Sequence, residues 1–208
     1  IARTQVLVPI SSEEQRKALR AIQTLLQQYP GVPQLWAAAS RLAGVTGPRE
    51  LEWEGLNKAL RLDPENASLR ALSLIGAAEH LPPTEADVYL APVHSNLHRT
   101  EAEVCLMLAF SEVILAERSP ATRVERWKRA ATAVNAAFPR ARSDWMTKIL
   151  KGLSLFLEAA IAKRKADPDL LYRAGLGRLA ATSGGKPIDA LRTEATARVV
   201  AMSASAAA

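Results

Sequence analysis

The chain has 208 residues, 49% of them hydrophobic, 23% charged and 5% aromatic, with a formal net charge of +6. That length buries a sizeable core, and an apolar content carried by Ala and Leu favours closely packed helices over sheet. The single cysteine, Cys105, excludes an internal disulfide framework or a cysteine metal cluster within the chain, and no apolar run reaches the ~20 residues of a membrane-spanning helix.

Residues 1–11 include the β-prone Val6-Leu7-Val8 and read as an extended arm or linker. At Ser11-Ser12-Glu13-Glu14 a capping box opens a first helix, with Leu19, Ile22, Leu25 and Leu26 at helical spacing, and Pro30-Gly31 closes it. A shorter helix is predicted from Pro33 to about Ala43, broken by Gly44 and Gly47-Pro48. The next spans about 49–62 with Trp53, Leu56, Ala59 and Leu60 on one face, stopped by Asp63-Pro64; another follows from about Asn66 to His80. Residues 84–97 read ambiguously because Pro92 falls among them. Thr100-Glu101-Ala102-Glu103 is a second capping box, starting an apolar helix to Arg118.

Ser119-Pro120 reads as the N-cap and first residue of a helix whose stripe is Val124, Trp127, Ala131, Val134 and Phe138. A further helix from Ser143 carries Trp145, Ile149, Leu153, Phe156 and Leu157 and closes at Lys163-Arg164-Lys165. Two more are predicted, from Pro168 to about Ala181 and from Pro187 to about Met202, and 203–208 reads as a frayed tail. The expectation is about ten helices in one domain over 12–202, with short connections that make sequence neighbours antiparallel.

A 34-residue offset aligns Leu19 with Trp53, Ile22 with Leu56, Leu26 with Leu60 and Pro30 with Pro64. Residues 33–66 resemble one repeat of the tetratricopeptide family, which has this period. Trp36 falls at the family's first-helix Trp, Gly47 at its turn glycine, Leu56 at its second-helix aromatic, and Ala59-Leu60-Arg61-Leu62-Asp63-Pro64 at its close. Glu52 stands where the family has a small Ala, and Ser40 where it has Gly. The register is lost at His98, where a third closing proline is due, so the resemblance covers about 12–80 and irregular hairpins are expected after that.

The resemblance implies an all-α fold of antiparallel helical hairpins stacked as a short tetratricopeptide-like α-solenoid, and a non-enzymatic protein-interaction module, adaptor or scaffold, possibly a subunit of a larger assembly. It places the concave groove at Gln34, Ala37 and Arg41, and on the following helix at Ala71 and Ile75. That set lacks the Lys and Asn clamp for a terminal carboxylate, so the implied ligand is a helical or apolar segment of a partner protein.

Charge is unevenly spread: ten basic against twelve acidic residues in 1–104, net −2, and seventeen against nine in 105–208, net +8. Arg123, Arg126 and Arg129 stand off the apolar stripe of their helix, followed by Arg140, Arg142, Lys148 and Lys151. This basic half is expected to meet an acidic protein surface or to serve solubility; the alternative is a helical nucleic-acid-binding or regulatory domain, its nucleic-acid part weakened by the interrupting Glu125, Asp144 and Glu158.

Catalytic and cofactor motifs are weak. Asp87, His94, His98 and Glu101 would share a face if 87–101 were one helix, but Pro92 and a cap at Thr100 argue for a break, so no metal site is expected there. Gly175-Leu176-Gly177-Arg178-Leu179-Ala180 matches the dinucleotide fingerprint in letters but lacks its strand-turn-helix context, and Pro187 spoils Gly184-Gly185-Lys186 as a phosphate loop. No cofactor and no catalytic residue is expected. Cys105 reads as core, and the chain as soluble, cytoplasmic in preference to periplasmic or secreted.

Overall fold

The computed structural model describes residues 12–161. The expected N-terminal arm, the helices expected after 165, the glycine motifs and the tail at 203–208 lie outside them. Eight α-helices follow one another: α1 (Ser12–Gln28), α2 (Pro33–Thr46), α3 (Arg49–Leu62), α4 (Ala67–His80), α5 (Pro83–Ser95), α6 (Ala102–Arg118), α7 (Arg123–Ala137) and α8 (Asp144–Ile161). Short 3-10 turns at Leu97–Arg99, Pro120–Thr122 and Phe138–Arg140 join the later ones. Among the described residues there is no strand, and no helix is long and apolar enough to cross a membrane.

Local chemistry accounts for the boundaries. Pro33 opens α2, where a missing N–H costs nothing, and the Gly47 N–H closes it on the Ala43 carbonyl. Asn66 caps α4 through its Oδ1, which accepts from the Leu69 N–H at 3.1 Å. Two sequence-predicted starts fall differently. The Thr100 hydroxyl donates to the Asn96 carbonyl at 2.8 Å, so it serves the 97–99 turn, and α6 begins at Ala102 without a side-chain cap. Pro120 starts a 3-10 turn, and α7 begins three residues later. Pro92 does not break α5 either. It sits in the last turn, where the carbonyl it leaves without a helical donor belongs to Val88, a residue 75% exposed to water.

Consecutive helices pack antiparallel from α1 to α4 and again from α6 to α8. The α2–α3 crossing is the close one in the first half. Ser40, buried, donates from Oγ to the Glu52 carbonyl at 2.7 Å, and a Cβ on Gly55 would lie 3.1 Å from the Trp36 carbonyl oxygen and 3.2 Å from Ser40 Cβ. The small residue that lets these helices meet is therefore Gly55, one turn beyond Glu52. Leu56 is buried in this seam, and Trp36 packs on its cluster while remaining partly exposed, with Nε1 donating to the Pro30 carbonyl at 2.8 Å.

Beyond α4 the hairpin alternation changes. α4 packs more extensively on α6 than on its sequence neighbour α5. α6 forms the centre of the main core, with Leu106, Met107, Leu108, Phe110 and Leu115 sealed between α4 and α7, and α8 adding Ile149, Leu150, Leu153 and Leu157. The described residues form an all-α domain of sequentially packed helices, in which the 34-residue pattern of the first half does not extend as a regular stack.

Candidate functional site

The three helices α2, α3 and α4 enclose a cleft of about 330 Å³. α2 contributes Gln34, Ala37 and Arg41, α4 contributes Ile75, and Leu56, Leu69 and Leu72 give the cleft an apolar floor. Four of the five groove positions transferred from the tetratricopeptide pattern therefore line one cavity. The fifth, Ala71, does not: it is fully buried in the main core, because it sits on the α4 face turned toward α6.

The far end of the cleft is polar and aromatic. Trp53 stacks on His80 with ring centroids 6.2 Å apart and planes at 19°, and meets Tyr89 edge-on at 5.8 Å. His80 Nε2 lies 3.2 Å from Glu52 Oε2. That approach lacks hydrogen-bond geometry, so the nitrogen is buried without a hydrogen bond. Glu79 lines the same end. None of Trp53, Glu52, Glu79 or His80 stood out in the sequence as a site, because α3 and α4 supply them from positions 26 or more residues apart and no motif spacing links them.

A second polar cluster lies between α5, α6 and α7. Glu112, fully buried, takes His94 Nε2 at 2.6 Å on one oxygen and Arg126 Nη1 at 3.0 Å on the other. Arg126 also forks onto Asp87, with Nη1 and Nη2 donating at 2.9 and 2.8 Å. Burial opposes the charge of Arg126, but its hydrogen bonds to Asp87 and Glu112 prevail and raise its pKa above the ordinary arginine value. His94 is thus held against a buried carboxylate, and His98 is exposed in the 97–99 turn.

This cluster corrects the reading of the basic residues. Arg126 is 4% exposed and is not part of a surface patch. Its neighbours differ: Arg123 is exposed, with Nε donating to the Ala116 carbonyl at 3.3 Å, and Arg129 is exposed, with Asp87 3.5 Å away. Arg140 turns inward, donating to the Leu97 carbonyl at 2.7 Å and to the Thr100 carbonyl, so it closes the turn before α6. Lys148 pairs with Asp144 at 2.6 Å, whereas Arg142 and Lys151 are exposed. Val124, expected on the buried stripe, is 41% exposed.

Cys105 is fully buried, and burial pushes its thiol pKa up against the opposing charge of Arg140, whose Nη2 lies 3.7 Å from the sulfur. A neutral, enclosed thiol is a poor nucleophile. The cleft is thus one place where apolar and polar side chains converge on open space, another being the hollow lined by Leu60, Leu74, Val93, Arg70 and Glu101, and the Glu112 cluster is a clamp whose members face one another. No protein-family model, curated protein or solved structure matches the chain.

Proposed function

We propose that the chain is a non-enzymatic protein-binding module, an adaptor or scaffold, whose working surface is the cleft between α2, α3 and α4. The observation that carries the reading is the convergence of Gln34, Ala37, Arg41 and Ile75 on one cavity of about 330 Å³. A space of that size lies at the lower end for small-molecule sites, which run from about 300 to 1,000 Å³, and suits a few side chains of a docked segment. Its apolar floor favours the apolar face of a helix, and Gln34 and Arg41 at the edge offer hydrogen bonds that orient it.

The test is affinity capture by the full chain, with identification of the bound protein, repeated with Gln34→Trp and Arg41→Glu. Both residues are exposed and line the cleft, so the changes alter its mouth without opening the core. The expected result is a partner retained by the native chain and lost by both variants, with helical content unchanged. A partner retained by both variants would move the working surface elsewhere.

A further inference from the structure

We propose that Glu52, Glu79 and His80 form a binding site for a divalent cation of the zinc type at the polar end of the cleft. One donor atom from each side chain lies within 4.8 Å of the others. A tetrahedral ion with bonds of about 2.1 Å holds its donors about 3.4 Å apart, so the carboxylate oxygens need close up by no more than about 1.4 Å. Both are carried on flexible stems. The donor set selects the class of ion: an imidazole nitrogen with two carboxylates suits zinc and neighbouring first-row cations, whereas calcium and magnesium take oxygen cages.

A second feature points to an ion rather than to a chance meeting of charged groups. His80 Nε2 is buried and has no hydrogen bond, an arrangement that normally costs stability, yet it faces Glu52 Oε2 at 3.2 Å. The Trp53 ring stacked on the imidazole fixes where that nitrogen aims. Because all three residues line the cavity, a bound ion has an entry path and coordination positions left over on the cleft side. Three protein donors with open positions is the pattern of exchangeable or catalytic zinc rather than of a closed structural site. The inference stands independently of the protein-binding reading, since it concerns the metal alone.

The experiment is calorimetric titration of zinc chloride into the chelator-treated full chain at neutral pH, paired with cobalt(II) titration followed by tryptophan emission. Binding of one ion per chain is expected, with quenching by cobalt that Trp53→Phe removes. His80→Ala and Glu79→Gln should each weaken binding by more than the about 10–100-fold that follows loss of a mere supporting partner. If His80→Ala fails to fold by circular dichroism, Glu79→Gln and the Trp53 quench decide, since neither removes the imidazole. Zinc affinity unchanged in Glu79→Gln, cobalt quenching unchanged in Trp53→Phe, or no saturable binding below millimolar zinc would each overturn the proposal.

Discussion

Arg126 shows how one side chain can change the meaning of a charged run. Its side chain is 5% exposed and is shared between a carboxylate at the surface, Asp87, and one with no exposure at all, Glu112. Removing one partner of such a pair leaves the other buried and uncompensated, so Arg126→Ala is expected to destabilise the fold by about 3–5 kcal/mol. The comparable change at exposed Arg129 should cost no more than about 1 kcal/mol. Denaturant midpoints of the two variants check this, and equal midpoints would mean that Arg126 is not the clamp described. The sequence contains a signal for the difference. Arg126 precedes Ala130, Ala133, Val134 and Ala137 by 4, 7, 8 and 11 residues, the spacing of one helical face, and all four are buried. The stripe drawn through Val124, Trp127 and Ala131 was rotated by about one position from that face, which left Arg126 on its polar side. Glu112 was equally visible as the charged residue interrupting an otherwise apolar α6, but its partners come from α5 and α7, and no local pattern reveals them.

At the scale of elements, helix spacing and the first-position Pro33 are legible because they act within a few residues, whereas the starts read at Thr100 and Ser119-Pro120 fall differently. What was not legible is how closely helices meet, since that depends on which glycine faces which neighbour. Gly55 against Ser40 is one case and Gly76 another. A Cβ on Gly76 would sit 2.8 and 2.9 Å from the Trp53 ring, closer than real Cβ contacts come, and the ring is confined by His80 and Tyr89. Gly76→Ala gains about 1 kcal/mol of helix propensity. Against it stands an overpacking cost of about 1–3 kcal/mol, and the rigidity of the stacked ring places the cost toward the upper end. A net loss of about 1–2 kcal/mol is expected in urea denaturation, with a change in Trp53 emission as α3 and α4 separate. Gly31→Ala, with nothing within 4 Å, serves as the control and should be close to neutral. A stabilised Gly76→Ala variant would show that the α3–α4 crossing has slack. The same crossing forms the wall of the cleft, so its spacing sets the cleft's width. The 34-residue pattern led to this cleft through α2, and it gave no warning that α4 would turn its other face to α6 and bury Ala71.

For the whole molecule, the question is which half meets a partner. Of the +8 charge in residues 105–208, half belongs to 105–161, with nine basic residues against five acidic. There the field is broken up: Arg126 and Arg140 point inward, and Lys148 sits on Asp144. Arg123 and Arg129 are exposed but already meet the Ala116 carbonyl and Asp87, which leaves Lys128, Arg142 and Lys151 as the exposed candidates for phosphate contacts among the described residues. Three such contacts give a log–log salt slope of only about −2.7 for duplex DNA, too shallow for a nucleic-acid module that relies on backbone charge. An acidic protein patch makes a smaller demand, since rim charges speed association without carrying the affinity. The reversal Lys128→Glu, Arg142→Glu, Lys151→Glu, which leaves the buried clamp and its Asp87 untouched, separates the two. Binding of the full chain to a generic duplex is expected to be weak, with a slope no steeper than about −3, and partner capture through the cleft should survive the reversal with slower association. A slope steeper than about −5 that the reversal abolishes would replace the adaptor reading with a nucleic-acid one. The same steep slope surviving the reversal would assign duplex binding to the basic residues after 161, beginning with Lys163-Arg164-Lys165, and leave the cleft to act separately.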